Sequence, residues 1–314
     1  MKVASNEKNI SGAAAKNCYE GTDKGRQTTF ELARFLCHVA YHLPDDVKNR
    51  IVEMAGRETN EAAKKTYLCM LENLRLAYEL SRPLCQDTGI PTFYVKAGAD
   101  WPHLGILKGV IEEASAEAFV LAPLRPNAVD PFTNKNTGNN AGPCSPYIDW
   151  EIVPGDEAEI TVYLAGGGCS LPGFAAVLTP GEGIEKAKQL IIDKILEKGV
   201  NACPPLIIGV GIGASADVAA KLSKKALLRP VGSSSQGGAA ELEKELFEVL
   251  NRLGIGPGGI GGTESVLGVN VIAGVRHPAT FAVALSTGCW ATRRGTVRLD
   301  RDLNMTFPDH KEFS

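Results

Sequence analysis

The stretch "PLIIGVGIGASADVAAKLSKKALL", residues 205–228, decides the fold class. Its first half is a short unbroken apolar run ending in glycines, the pattern of a strand buried on both faces. Its second half carries apolar residues at helical spacing. Ser215 stands as an N-cap, and Asp217 lies in the first turn, where a negative charge suits the helix dipole. A buried strand that runs straight into a helix is the unit of an α/β protein. The same glycines, in "GVGIGA", superficially match the G-x-G-x-x-A dinucleotide fingerprint. About twenty residues on, "KALLRPVG" offers no acid for a ribose hydroxyl, so a nicotinamide cofactor is a remote reading.

The same texture continues on both sides. "PTFYVKAG" (91–98), "IDWEIV" (148–153), "EAEITVYLA" (157–165), "VLGVNVIAGV" (266–275) and "TFAVALSTGCWA" (280–291) read as strands. "LGILKGVIEEASAEAFVLA", "GEGIEKAKQLIIDKILEKGV" and "GGAAELEKELFEVLNRLG" read as helices, the last ending at Gly254. Residues 28–81 are helical throughout, with Thr28 or Thr29 as a cap of the first helix and Pro44 opening the second. The expected architecture is therefore mixed α/β: an N-terminal helical lobe, about 28–81, packed on a mixed-sheet lobe, about 82–303. Residues 1–27 form an N-terminal extension and 304–314 a C-terminal surface tail. A long polar stretch, "PLRPNAVDPFTNKNTGNNAGPCSPY", interrupts the regular elements, and loops of this length are functional or disordered.

Composition excludes several classes. The chain has 314 residues, 44% apolar and 22% charged, with a net charge of −3. That length buries roughly three-quarters of the unfolded surface without staples. No block of like charge suggests a nucleic-acid partner. No long apolar run suggests a membrane span or a secretory signal, so a cytoplasmic location is expected. Eight cysteines, at 18, 37, 69, 85, 144, 169, 203 and 289, include no C-x-x-C pair. Disulfides are not expected in a reducing compartment. Cys37 and Cys69 lie on apolar helix faces and read as core residues.

Three other cysteines share a setting: "LCQDTG" (Cys85), "NACPPL" (Cys203) and "STGCWATRR" (Cys289) each place a thiol at the end of an element beside a turn. Proteins put site residues in such positions. Iron–sulfur clusters are held by thiolates, and a three-thiolate set leaves one iron open as a Lewis acid. The residues alone leave two readings, a shared cluster or three unrelated buried thiols. "AGGGCS" follows a strand and is either an anion-binding nest or a tight turn. Arg125, in "PLRPNAV", is either a bidentate carboxylate grip or a solvent-facing side chain. "WATRRG" either binds an anion or makes surface ion pairs. His277, in "VRHPAT", lies between two strands, and Asp87 is either a proton-transfer group or a turn cap.

Taken together, "CQDTG", "LRPNAV", "NTGNN", "GGGCSLPG", "NACPP", "GVGIGASADVAAKLSKKALLRPVGS", "NRLGIGPGGIGG", "RHPA" and "STGCWATRRGT" resemble, in order, the class I fumarase and tartrate dehydratase family of iron–sulfur hydro-lyases. The resemblance covers about residues 30 to 300. It implies that Cys85, Cys203 and Cys289 hold a 4Fe–4S cluster with one open iron site. It implies that Gln86, Arg125 and the Gly168 backbone bind substrate carboxylates, and that Asp87 and His277 stand beside the substrate hydroxyl as catalytic residues. The chain matches the α-type portion, residues 28–303, of this family. No convincing base is found in it, so a separate β subunit is expected to complete the site, in a heterotetramer of two α and two β subunits. The family's fumarases carry a serine after the glycines where this chain has Cys169, a variant similar to the tartrate branch. The resemblance thus implies dehydration of a small 2-hydroxy dicarboxylate, L(+)-tartrate to oxaloacetate first. Fumarate hydration is the same-class alternative, and a non-catalytic iron–sulfur sensor is the alternative of another class.

Overall fold

The computed structural model describes residues 23–313. The quoted stretch forms β5 (Leu206–Gly213), buried at every position, followed by α6 (Ala216–Ala226). The glycines of β5 have a packing reason. A Cβ added at Gly211 would lie 2.0 Å from the Ala219 carbonyl oxygen and 2.5 Å from the Ser223 nitrogen. Only a bare backbone lets α6 approach the strand this closely, so "GVGIGA" records helix-on-strand packing. Ser215 takes the N-cap position with extended backbone, but its hydroxyl turns to the Asp217 carboxylate instead of a helix N–H.

β5 belongs to a four-stranded sheet ordered β4 (Phe174–Leu178), β7 (Phe281–Gly288), β5, β6 (Val266–Ala273). β7 runs antiparallel to both of its neighbours, and β6 is parallel to β5. A second, five-stranded sheet is ordered β2 (Tyr147–Val153), β1 (Ile90–Gly98), β3 (Ala158–Ala165), β8 (Arg293–Leu299), β9 (Met305–Thr306). Here β1 and β2 are parallel and the other pairs antiparallel. The α/β class expected from the sequence is what the chain adopts, with its strands divided between two mixed sheets.

Three apolar cores follow. α1 (Asp23–Tyr41) and α4 (Leu104–Leu121) cover the five-stranded sheet through Leu32, Phe35, Val39, Leu107 and Ile111. α5 (Gly183–Lys198) and α7 (Gly238–Arg252) cover the four-stranded sheet through Ile191, Ile195, Leu246 and Leu250. α2 (Asp45–Arg57) and α3 (Glu61–Leu80) pack in a third core that reaches both sheets, through Tyr163 of β3 and Ile207 of β5. The N-terminal helices thus share their cores with the strands.

Several local expectations change. Thr28 and Thr29 lie inside α1, where their hydroxyls bond back to the Lys24 and Gly25 carbonyls; the helix begins earlier than the first apolar residue suggests. Cys37 is buried as expected, whereas Cys69 is exposed on α3, just off the face that carries Tyr67 and Met70. The C-terminal segment is packed, not a free surface tail. Phe307 and Phe313 pack on Phe35, and fully buried His310 makes a hydrogen bond to the Arg294 carbonyl oxygen. "RRGTVRL" is a buried strand rather than a surface run, because β8 pairs with β3 along seven residues. No helix among the described residues is long and apolar enough to cross a membrane.

Gly211→Ala tests the closest contact. Overpacking against an immovable helix backbone is expected to lower stability by about 3 kcal/mol, read from urea denaturation. A stability equal to wild type would show that α6 is free to retreat.

Candidate active site

The Cys85 turn is fixed from behind. Ser81 caps α3 in the left-handed conformation, and the next residues turn back toward α1. Buried Leu84 donates its N–H to the Ala40 carbonyl at 3.1 Å and accepts from the Asn73 side chain at 2.8 Å. Cys85 then sits half-buried.

Asp87 joins this turn to two others. Its Oδ1 accepts from Gly89 N–H at 3.1 Å and from Asn127 Nδ2 at 2.9 Å; its Oδ2 accepts from Gly167 N–H at 2.8 Å. The long polar loop is brought in by the same neighbourhood. Buried Thr88 accepts from Arg125 N–H at 2.9 Å. Asn140, also buried, accepts from Ala128 N–H at 2.7 Å and donates to the Gly89 and Arg125 carbonyls. The loop is therefore folded on its own asparagines.

The glycine run leads into a 3-10 turn, Gly168–Ser170, that buries Cys169. The Cys169 carbonyl accepts from the Thr287 hydroxyl of β7. A Cβ at Gly168 would lie 2.8 Å from the Asn201 carbonyl oxygen, so glycine is required for this turn to meet the next one. That next turn, Gly199–Ala202, ends at Cys203, exposed and left-handed at φ 56°. The Cys203 carbonyl accepts from Trp290 N–H at 3.2 Å, which binds it to the turn after β7. There Cys289 is half-buried, its carbonyl held by the Thr292 hydroxyl at 2.6 Å.

The four sulfurs are linked electrostatically, Cys203 with Cys85 and Cys169, and Cys169 with Cys289. The Cys203 thiol is pushed up by burial and by the negative charges of Cys169, Cys85 and Asp87. Cys169 is pulled down to about 6, first by a hydrogen bond from Cys289, then by the Cys289 amide and the charges of Arg293 and Lys224, against the cost of burial. Cys289 moves the other way, through the same bond to Cys169 and its own burial. The two thiols thus pull in opposite directions, Cys169 down and Cys289 up. All four cysteines are free. A set of sulfur donors with the cations Arg293 and Lys224 within electrostatic reach fits an iron–sulfur group far better than a hard cation.

The structure thus brings Cys85, Cys203, Cys289, Asp87 and Gly168 together, with the Arg125 backbone adjoining them. The Gln86 and Arg125 side chains are exposed, and Arg125 makes no ion pair among the described residues. His277 lies on an exposed loop, where its Nδ1 accepts from Ala279 N–H at 3.1 Å. A cleft of about 700 Å³, lined by residues such as Asp149, Lys225 and Arg294, contains none of these cysteines. One residue near the sulfurs escaped sequence reasoning, and another stood only as part of "WATRRG". Lys224 lies half-buried on α6; burial lowers its pKa, opposed by the negative charge of Cys169. Arg293 is buried at the start of β8. For Arg293 the double arginine after Cys289 was a signal; for Lys224, one lysine of several in an amphipathic helix, none existed.

Comparison with known proteins gives the class. The fumarate hydratase (Fumerase) family matches residues 30–298, and the chain belongs to that family of hydro-lyases. An Escherichia coli protein named L(+)-tartrate dehydratase subunit alpha is 48% identical over 281 residues, 89% of this chain and 93% of that protein. Proteins of the same name from Shigella boydii and Shigella sonnei are each 47% identical over the same length and the same shares.

Asp87→Ala removes three hydrogen bonds to a carboxylate at the junction of three loops. A loss of about 3 kcal/mol is expected, measured by urea unfolding of the cluster-free protein. An unshifted midpoint would mean that the loops hold without this tie.

Proposed function

We propose that the chain is the α subunit of a two-subunit hydro-lyase that dehydrates a small 2-hydroxy dicarboxylate, with L(+)-tartrate, giving oxaloacetate, as the foremost substrate. The observation that carries this reading is the meeting of the Cys85, Cys203 and Cys289 turns at one electrostatic site. These three residues would hold a 4Fe–4S cluster with one open iron site. When bound, such a cluster supplies a Lewis acid that polarises the leaving hydroxyl.

The chain's own residues do the rest of the α-side work. The exposed, unpaired guanidinium of Arg125 can grip a carboxylate with two bonds, while its backbone stays locked on Thr88. Gln86, next to Cys85, and the Gly168 amide are assigned to the remaining carboxylate oxygens. Fixing both ends of the diacid lowers the entropic part of the barrier. Asp87 orients the loops, since its oxygens already accept three hydrogen bonds. At His277, Nδ1 accepts from Ala279, which leaves Nε2 to hold or pass a proton. The base that abstracts the carbon-bound proton is assigned to a β subunit, in a heterotetramer of two α and two β subunits. The word "alpha" in the relatives' names supports a partner chain, and those names support tartrate. The family description favours fumarate hydration as the second reading.

The test is anaerobic co-expression with the candidate β subunit, followed by iron and sulfide analysis and parallel assays. Oxaloacetate from L-tartrate supports the first substrate, and malate from fumarate alone moves the chain to the second. A cluster with no turnover of any diacid favours a sensor. No iron after strict anaerobic reconstitution overturns the cluster reading. Cys85→Ser is expected to lose stable cluster and to lower turnover by more than about 1000-fold; a full cluster with normal rates in that variant is the opposite result.

A further inference from the structure

Arg293 opens β8 with 1% of its surface exposed. Its Nε and Nη1 are enclosed without a hydrogen-bond partner. It makes no ion pair with a carboxylate among the described residues. A guanidinium cannot relieve this by losing its proton, and an unpaired buried charge is among the costliest features a fold can carry.

The next residue shows the contrast. Arg294 is almost as buried, yet its Nη2 meets the Asp46 carboxylate, with Asp309 3.9 Å from Nη1. Successive side chains of a strand point to opposite faces, and on the Arg293 side no acid waits. Its charge is felt by Cys169, Cys289 and Tyr163. Tyr163 stays neutral, because its own burial and the charges of Cys169 and Cys289 push its phenol well up. No carboxylate pairs with Arg293 among the described residues, and the residue before it, Thr292, binds the Cys289 carbonyl, so its unpartnered nitrogens belong to the strand end that carries the sulfur site.

We propose that Arg293 is a positioning residue for the sulfur-ligated group: a permanent buried cation that holds the thiolates of this site and offsets the net negative charge of a cluster bound to three of them. The proposal rests on the cluster reading above. Thiolate ligands leave such a cluster net negative, and reduction adds to that charge. Cluster potentials depend on net charge and on hydrogen bonds to the sulfurs. Arg293 supplies a charge and donors with no other use. The face of the strand that bears it is closed to solvent, so water does not screen the effect.

The test uses the α chain with its β partner, loaded anaerobically, as wild type, Arg293→Gln and Arg293→Lys. The readouts are iron release to a chelator and a redox titration followed by electron paramagnetic resonance. Arg293→Gln is expected to release iron at least tenfold faster. Its reduced form should weaken at least tenfold, a fall of about 59 mV for one electron. Arg293→Lys keeps the charge and should recover most of that shift, which a purely space-filling role would not do. Unchanged potential and retention in Arg293→Gln overturn the proposal while leaving the cluster reading intact. Wild type without iron overturns both. Should Arg293→Gln not fold, the anaerobic crystal structure of loaded wild type decides. Nε or Nη1 at hydrogen-bond distance from a cluster or cysteine sulfur supports the role, and a guanidinium turned to backbone carbonyls or water refutes it.

Discussion

The Asp87 carboxylate is the tie on which the arrangement of the site depends. Its two oxygens collect donors from its own turn, from Asn127 of the long loop and from Gly167 of the glycine run. Each donor belongs to a segment that has no regular structure to fix it. A charged acceptor makes these bonds stronger than neutral ones, and a shared acceptor makes them interdependent. Once the glycine run is held there, Gly168 can rest against Asn201, and Cys203 follows directly. The side chains of Gln86 and Arg125 beside it are exposed, and the Arg125 backbone is held on Thr88.

Much of the fold was legible because its elements are long and periodic. α3, α4 and β5 each carry one pattern over enough residues to exclude the other, and Asn60 caps α3 while a glycine closes β5. β4 is five residues among glycines and prolines, too short to carry a period. β8 begins with two arginines, and a buried strand is not expected to open on charge. The division of the strands into two sheets depends on pairings such as β3 with β8, between segments far apart in sequence, which no local pattern encodes. The polar look of "FPDHKEFS" likewise hid Phe307, His310 and Phe313, whose partner Phe35 lies at the other end of the chain.

The site was legible to the extent that turns announce themselves. Cys85, Cys203 and Cys289 stood out by standing beside turn residues at element ends, and these are the turns that meet. Cys169 carried the same kind of context, but its contact with Cys289 is a tertiary fact. Asp87 was visible as a polar group beside a thiol, with nothing to tell a proton carrier from a strut. Arg293 and Arg294 are the sharpest case. The two are adjacent and of one type, yet one meets Asp46 and the other has enclosed nitrogens without a partner. A charge is understood only with its partner, and the partner is chosen by the fold.

The left-handed turn at Cys203 and its hold on Trp290 also order events in time. Cys85 and Cys289 are separated by about two hundred residues of chain, so their meeting is among the longest-range closures in the molecule. It becomes possible only when β7 has paired with β5 and the turn beyond it has closed on the Cys203 carbonyl. A nascent chain that has just released β5 already displays Cys85, Cys169 and Cys203, but without the strand and the cation that bring them to order. The sulfur site therefore draws on segments from most of the length of the chain, and its geometry depends on the last strands as much as on the first turn.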